Sequence, residues 1–385
     1  MGEKRDVAVV LSGGGMNAML LELGFLKRLR ESDLWPRIRV IFGTSAGALA
    51  GMMAALDRVD DLEAFLYGLR AEETFRPNRI WRLPLLGSHD YALPETIATK
   101  LGGSLELAQA LVGVEPELVV FATDVTVDSP NGVRPDHPFE LMYSSRTTPP
   151  EELARGILAS AAISALVLPV TVGDRVATDG GWVRNFPLLA AYEREDVELI
   201  VAFRYEPHYP MSGTRSLAAA VARLRRYSRL PAARVLVAEL QEAADREERG
   251  EPAHLVDTLA RLSRVAIGRN TALEEMIARD RQHSIAELQA LRDDVRALVE
   301  RSHVSKGKRE RLLGALDRRF TATRFPFAHD RAIPRITVAA GSNGVHLAPG
   351  WRKQQPWSPE AKRLLVERGY KLTDAQLACA QRACA

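Results

Sequence analysis

The sequence predicts an α/β protein with a mainly parallel sheet and an inserted helical subdomain. Two successive units of strand, glycine-rich turn and helix occupy the first part of the chain, and further short apolar runs follow them. A long block with helical periodicity then precedes one last apolar run. Successive strand and helix units indicate a parallel sheet, because two parallel strands need a crossover connection that a helix supplies.

The first unit begins at residues 6–11, an apolar run of the right length for a buried strand. Ser12 and three glycines end this run. Met19, Leu23 and Leu26 then keep the spacing of one helical face, so a helix is predicted after the glycines.

The second unit repeats the same order of elements. Residues 38–42 predict a strand, and the chain turns at Gly43. Small and apolar residues at 46–56 then predict a second helix.

Later apolar runs extend the predicted sheet. Residues 118–122 and 198–203 are predicted central strands, and a helix is predicted near 151–162 between them. A hairpin is predicted around Gly173.

A helical block is predicted at residues 216–319, which are rich in Arg and Glu and poor in glycine. Strand character returns at 333–339, and a last helix is predicted to start near Ser358, a residue type that caps helices. The helical block is therefore expected to be inserted between strands of the sheet.

The composition excludes several classes of protein. The 385 residues are 46% hydrophobic and 26% charged, which is ordinary for a globular chain and unlike a disordered one. A net charge of +3 gives no electrostatic argument for binding nucleic acid. The two cysteines, Cys379 and Cys384, cannot form a disulfide framework or a four-ligand zinc cluster. Motifs typical of metal sites or nucleotide loops are missing from the sequence, so we expect no metal and no cofactor.

The apolar segments are short. The N-terminal run is too short for a signal peptide, and residues 41–56 and 158–172 fall short of the ~20 residues that a membrane span needs. We expect a cytoplasmic protein, with reversible contact with a membrane surface as an open alternative.

The strongest local motif is a G-x-S-x-G sequence made by Gly43, Ser45 and Gly47 between a predicted strand and helix. This context is typical of a nucleophile elbow, in which a sharp turn exposes the serine hydroxyl above the sheet. The helix N-terminus that follows would favour negative charge developing nearby. A glycine loop without chemistry is the alternative.

A glycine-rich run, Gly13, Gly14 and Gly15, follows the first strand. Glycines without side chains can direct backbone N–H groups toward a developing oxyanion. A dinucleotide-binding loop would also need an acidic residue at the end of the second strand, where this chain has Phe42, Gly43 and Thr44. A tight turn without a ligand remains the other alternative.

A third motif, Asp179, Gly180 and Gly181, follows the predicted hairpin. Asp-Gly-Gly is common in turns. In this chain it can also supply the carboxylate that a serine nucleophile needs in order to lose its proton.

These three motifs, in this order, resemble the patatin-like phospholipase family, which carries a glycine-rich oxyanion loop, then G-x-S-x-G, then D-G-G or D-G-A. The resemblance extends over roughly residues 5–205 and includes flanking residues as well. These flanking residues are Ala122-Thr123-Asp124, Ala159-Ser160-Ala161-Ala162, Asn185 and Pro187.

The resemblance implies a three-layer fold similar to that of α/β-hydrolases, and a Ser–Asp dyad. Ser45 would be the nucleophile, Asp179 would take the role that histidine has in a triad, and Gly13–Gly15 would form the oxyanion loop. The implied domains are a catalytic core at 1–212, a helical insertion at 213–330, and a C-terminal strand and helices at 331–385 that complete the core.

The chain departs from the family pattern at Asn17, where the family usually has Arg or Lys. Asparagine can donate hydrogen bonds but carries no charge for an acidic headgroup. This residue leaves the class of lipid open.

A histidine-based triad is a competing interpretation, because α/β-hydrolases order their residues as Ser, Asp or Glu, then His. Six of the eight histidines follow Asp179, most of them in the helical block or in loops, where a lone histidine is more often structural or solvated. They are His208, His254, His283, His303, His329 and His346.

Residues 75–93 combine three arginines with aromatic and aliphatic side chains, among them Trp81 and Leu85. This mixture suits a lid that contacts a lipid surface. An ordinary loop packed on the core would also account for it.

The function that the resemblance implies is a serine-dependent lipid acyl hydrolase, of phospholipase A or lipase type, that works through an acyl-Ser45 intermediate. Its substrate would be a lipid acyl ester. An acyltransferase using the same dyad, or a non-catalytic lipid-binding or scaffold protein that retains the fold, are the alternatives.

Overall fold

An eight-stranded mixed sheet with helices on both faces forms the core of the protein. The computed structural model describes residues 4–78, 89–126, 139–164, 166–206, 231–249, 255–343, 345, 347 and 357–384. The strands in these residues are β1 (Val7–Leu11), β2 (Ile38–Thr44), β3 (Phe75–Pro77), β4 (His89–Tyr91), β5 (Glu117–Asp124), β6 (Glu140–Ser144), β7 (Val170–Val172), β8 (Arg175–Asp179), β9 (Leu199–Tyr205) and β10 (Arg335–Ala340).

The helices cover the sheet and extend beyond it. In the described part of the chain they are α1 (Gly15–Arg30), α2 (Ala46–Ala55), α3 (Val59–Gly68), α4 (Leu93–Leu101), α5 (Ser104–Ala110), α6 (Pro150–Ser160), α7 (Gly181–Arg184), α8 (Leu188–Tyr192), α9 (Pro231–Glu248), α10 (Leu255–Arg301), α11 (Lys306–Thr321) and α12 (Pro359–Cys384). Two short 3₁₀ turns lie at Trp35–Arg37 and Ala71–Glu73.

The sheet is parallel through its centre. Its order is β10-β9-β1-β2-β5-β8-β7, and the first five strands of this order run parallel to one another. The predicted, mainly parallel α/β fold is therefore confirmed.

One edge of the sheet is antiparallel. β8 and β6 both pair with β5 in the antiparallel sense, and β7 forms a hairpin with β8. The turn of this hairpin is at residues 173–174, where the sequence predicts it. A connection of only two residues can join antiparallel strands but not parallel ones. Strand β6 and helices α3, α4 and α5 were not predicted, since runs this short show little periodicity.

The alternation of side chains along β1 divides the core into two layers. Val7, Val9 and Leu11 pack on the face covered by α1, α2 and α12. Ala8 and Val10 belong to the opposite layer, together with residues of α8 and α10. All five side chains are fully buried, as expected for a central strand whose two faces are both covered by helices.

The predicted helical block contains α9, α10 and α11, and the sheet resumes at β10, which pairs with β9 in parallel. The strand expected at 333–339 is thus present at Arg335–Ala340. The domain bounds at 212 and 330 stay a prediction.

The segment at 75–93 begins and ends in the small β3-β4 pair, where the Phe75 and Tyr91 rings stack with centroids 6.0 Å apart. Residues 79–88, which include Trp81 and Leu85, lie outside the described residues. The lid interpretation stays a prediction.

None of the described helices holds a stretch long and apolar enough to cross a membrane.

Candidate active site

Ser45 lies on the turn between β2 and α2. Its backbone has φ 54° and ψ −117°, a conformation that costs energy for any residue with a Cβ and that is most often found at functional sites. Gly43 and Gly47 flank it as predicted. A Cβ on Gly47 would lie 2.5 Å from the carbonyl oxygen of Leu11, so only glycine allows α2 to begin this close to β1.

The sheet brings Asp179 to Ser45, although the two residues are 134 positions apart. On β5, Phe121 pairs with Thr44 of β2, and the next residue, Ala122, pairs with Asp179 of β8. The ends of β2 and β8 therefore meet on either side of β5. The Ser45 Oγ donates a hydrogen bond to the Asp179 Oδ2 at 2.7 Å.

Asp179 is buried and held by a second hydrogen bond, from the Gly181 N–H to its Oδ1 at 2.7 Å. Burial raises the pKa of this carboxyl to about 6, while the hydrogen bonds from Ser45 and Gly181 oppose the shift. A carboxylate with a pKa near 6 is a better base than an exposed one and is still ionised at neutral pH.

The glycine loop lies between β1 and α1 at the same edge of the sheet. The Gly13 N–H donates to the Asn185 carbonyl oxygen at 2.8 Å, so in this structure it is already engaged. Within the described residues, the N–H groups of Gly14 and Gly15 have no hydrogen-bond acceptor, as is usual at the start of a helix.

Ser160 supports the nucleophile turn from α6. Its Oγ accepts a hydrogen bond from the Ser45 N–H at 2.8 Å and donates to the Phe121 carbonyl oxygen at 2.6 Å. These two bonds tie the Ser45 backbone to β5. The sequence marked Ser160 only as a flanking residue of the family pattern.

Ser45, Asp179 and Gly13–Gly15 line a cavity of about 260 Å³. Its walls are largely apolar and include Ile163, Trp182 and Ile267. Such a lining suits an acyl chain. Ile267 belongs to α10, and no local motif in the helical block indicated that this helix reaches the cavity.

Residues of helix α10 also bind the segment that follows Asp179, through ion pairs and hydrogen bonds. Arg184 is 3% exposed and donates to Glu140 at 2.6 Å and to Glu274 of α10 at 3.0 Å. Burial raises the pKa of Glu274 to about 7, although the Arg184 guanidinium opposes the shift. Beside this pair, the Asn185 amide donates to the Thr271 hydroxyl at 3.1 Å.

Asn17 lies in the first turn of α1, half-buried, and is not among the described residues that line the Ser45 cavity. Gly180 and Gly181 form the turn between β8 and α7, and the Gly180 N–H donates to the Ser160 carbonyl oxygen at 3.3 Å.

None of the histidines in the described part of the chain lines this cavity. His329 contacts the Tyr192 carbonyl oxygen at 2.7 Å, His283 pairs with Glu287 at 3.1 Å, and His303 is exposed. The others that follow Asp179, His208, His254 and His346, lie outside the described residues.

No group of three or more His, Cys, Asp or Glu side chains that could hold a metal ion occurs among the residues that the structure describes.

The fold belongs to the α/β class, with a mainly parallel sheet, helices on both faces and Ser45 on the turn between β2 and α2. Residues 9–192 match the family model described as Patatin-like phospholipase, so this part of the chain is a patatin-like phospholipase domain. The family acts on lipid esters as a hydrolase.

Among solved structures, the chain is similar to that titled "Crystal structure of VipD from Legionella pneumophila", with 16% identity and a TM-score of 0.43. The match covers 98% of this chain and 68% of that chain, and a likeness this weak carries no argument about function. The comparison with curated proteins found no match.

Proposed function

We propose that the protein hydrolyses lipid acyl esters through an acyl-serine intermediate, with Ser45 as nucleophile and Asp179 as the base. The observation that carries this proposal is the 2.7 Å hydrogen bond from the Ser45 Oγ to the buried Asp179 carboxylate, beside a cavity that both residues line. A nucleophile and base within hydrogen-bond reach are the first requirement for covalent catalysis by serine.

In the first half of the reaction, Asp179 accepts the Ser45 proton while Oγ attacks the ester carbonyl carbon. The tetrahedral intermediate carries an oxyanion that the N–H groups of Gly14 and Gly15 stabilise, helped by the N-terminus of α2 directly after Ser45. The bond to the alcohol then breaks, and Asp179 returns its proton to the leaving oxygen.

In the second half, a water molecule gives a proton to Asp179 and attacks the acyl-serine carbonyl carbon. The bond between Ser45 Oγ and the acyl carbon breaks, the fatty acid leaves, and the proton passes from Asp179 back to Oγ. The same carboxylate thus serves as base in both halves.

A fluorophosphonate probe tests the nucleophile, because it reacts with an activated serine and spares an ordinary one. We expect the wild-type chain to be labelled on Ser45, as read by peptide mass spectrometry. Ser45→Ala should lose both the label and about 10³-fold or more of the hydrolysis of p-nitrophenyl butyrate.

The matched control is Ser302→Ala, a serine at the end of α10 whose Oγ donates to the Val299 carbonyl oxygen. This variant should be labelled and active like the wild type. Labelling of a different serine, or Ser45→Ala activity above a tenth of the wild-type rate, would contradict the assignment.

A further inference from the structure

A second cavity, of about 290 Å³, adjoins the Ser45 cavity and shares Asn185, Tyr205 and Ile267 with it. One of its walls is the carboxyl end of β9, residues 204–206. The other wall is a face of α10, where lining residues recur at helical spacing between Arg264 and Glu275. The carboxyl ends of parallel strands are where α/β sheets most often bind ligands.

The charges of the two cavities differ. The second cavity is lined by two arginines, Arg204 and Arg264, and by two glutamates, Glu206 and Glu275. Arg204 donates to both glutamates. The formal charge of these four groups is zero, and both signs lie within one small space. Asp179 is the one carboxylic acid among the described residues that line the Ser45 cavity, and no Arg or Lys is among them.

We propose that this second cavity, the headgroup groove, binds the headgroup of a zwitterionic phospholipid whose acyl ester lies at Ser45. This inference rests on the proposed hydrolase function. A phosphate can accept charge-assisted hydrogen bonds from the guanidinium groups, and the cationic nitrogen of a zwitterionic headgroup is attracted electrostatically to the carboxylates. An anionic headgroup would face two carboxylates without a cation of its own, and a neutral glyceride would cover these charges without pairing with them.

The groove and the Ser45 cavity can hold one molecule because three lining residues are common to both. A lipid that spans them would place its phosphate on the side of β9 and α10 and its acyl chain among the apolar walls near Ser45. Selectivity for the headgroup would then depend on the charged residues of the groove, and cleavage of the ester on Ser45 and Asp179.

Gly268 offers a way to fill the groove. It lies on α10 and lines the groove, and a Cβ added to it would meet no atom within 4 Å. Replacing a helical glycine also removes an unfavourable helix former, so the variants should fold. A series of Gly268→Ala, Gly268→Leu and Gly268→Trp therefore adds side-chain volume stepwise at a residue that lines the groove.

The substrates for this series are dihexanoyl phosphatidylcholine, dihexanoyl phosphatidylglycerol and p-nitrophenyl butyrate, all used as monomers so that binding to an interface does not contribute. We expect the wild type to prefer phosphatidylcholine to phosphatidylglycerol. The kcat/KM for phosphatidylcholine, divided by that for p-nitrophenyl butyrate, should fall with each larger side chain, by about tenfold or more for Gly268→Trp. The control is Gly307→Leu on α11, where a Cβ also meets open space and the wild-type ratio should persist.

Glu206→Gln tests the charge of the groove. Its carboxylate is half-exposed and pairs with Arg204, which keeps Glu275 as a partner after the change. Removing one negative charge should shift the preference from phosphatidylcholine toward phosphatidylglycerol by about threefold or more.

The outcomes separate the groove from the catalytic proposal. A wild type that cleaves p-nitrophenyl butyrate, with ratios that do not change in the Gly268 series, overturns the groove and leaves the Ser45 chemistry standing. If the wild type cleaves no ester, the catalytic proposal fails. Calorimetry then measures the binding of dihexanoyl phosphatidylcholine and tests the groove by itself. In that case weaker binding to Gly268→Trp than to the wild type supports the groove, and equal binding refutes it.

Discussion

At the scale of single residues, the proposed chemistry depends on Asp179 being both buried and ionised. Burial raises its pKa to about 6, and the hydrogen bonds from Ser45 and the Gly181 N–H limit the rise. The residue is 7% exposed, so bulk water does little to stabilise its charge. These features lead to one prediction about activity and one about stability.

The activity should follow the ionisation of Asp179. Only the carboxylate can accept the Ser45 proton, so kcat/KM should fall about tenfold per pH unit below about pH 6 and reach a plateau above it. A pH–rate profile with p-nitrophenyl butyrate measures this dependence. A midpoint near pH 4, the value of an ordinary exposed carboxyl, would show that burial does not tune this group.

Removing the charge of Asp179 should abolish activity but raise the free energy of unfolding. Because the pKa of Asp179 is higher in the folded than in the unfolded chain, its ionisation destabilises the fold, and the cost is complete once the pH exceeds about 6. A rise from 3.8 to about 6 corresponds to about 3 kcal/mol. Asp179→Asn keeps groups that can make both hydrogen bonds, so it should be inactive yet about 2–3 kcal/mol more stable than the wild type at pH 8.

Urea unfolding at two pH values checks this stability prediction. The advantage of Asp179→Asn should shrink at pH 5, where the folded wild type is largely protonated at this position. Equal stability of the two proteins at pH 8 would contradict it.

At the scale of elements, α10 is the part of the helical block that reaches the candidate site. Arg184 lies between Glu140 and Glu274, and the Leu189 N–H donates to the same Glu274 oxygen at 3.0 Å. Arg184 also lies over the Phe121 ring, 5.3 Å from its centroid. The turn after Asp179 is thus held from the sheet on one side and from α10 on the other.

Glu274→Ala should destabilise the protein by about 3 kcal/mol, because it leaves a buried guanidinium with one carboxylate and removes the acceptor of a buried N–H. Glu287→Ala, on the exposed side of the same helix, is the control and should cost less than about 0.5 kcal/mol. Urea unfolding of both variants gives the comparison. Similar losses in the two would mean that the contact between α10 and the turn contributes little.

At the scale of the whole molecule, the C-terminal helix α12 is part of the sheet domain, although it lies far beyond residue 192. It packs along α1, and Leu365 and Val366 belong to the same core layer as Leu21. Lys362 is 2% exposed and donates three hydrogen bonds to carbonyl oxygens at the end of α3. Helices from the two ends of the chain therefore complete one core.

The crossing of α1 and α12 depends on glycine. A Cβ on Gly369 would lie 2.0 Å from the Leu21 carbonyl oxygen, and one on Gly24 would lie 2.0 Å from the Val366 carbonyl oxygen. Gly369→Ala should destabilise the protein by about 3 kcal/mol, because the contact is with backbone that cannot move aside alone.

Gly314→Ala on α11 is the matched control. The nearest atom to its added Cβ is the Arg318 Nη1 at 3.4 Å, so the change should be neutral or stabilise the protein by up to about 1 kcal/mol. Thermal unfolding measures both variants. A Gly369→Ala variant as stable as the wild type would mean that α1 and α12 can move apart without a cost in stability.

Part of this architecture could be predicted because it depends on neighbouring residues. The strand, turn and helix around Ser45 follow from apolar runs and glycines within a few positions of each other. The hairpin before Asp179 and the return of a strand near 335 have equally local signals. The glycine loop was also predicted, but its first N–H binds the Asn185 carbonyl oxygen, which no pattern within the loop could indicate.

The sequence by itself determined the order of the strand and helix units that carry the three motifs, and which residues lie on their turns, because these depend on local propensity and periodicity. It did not indicate β6, α3, α4 or α5, whose runs are short. The resemblance to a family implied that Ser45 and Asp179 work together, but only the tertiary structure shows the contact, since their 2.7 Å hydrogen bond depends on the register of two strands across β5. The tertiary structure also decided that α10 packs Glu274 against Arg184 and lines the second cavity, because the packing face of a long charged helix depends on the surface that it meets and not only on its own pattern.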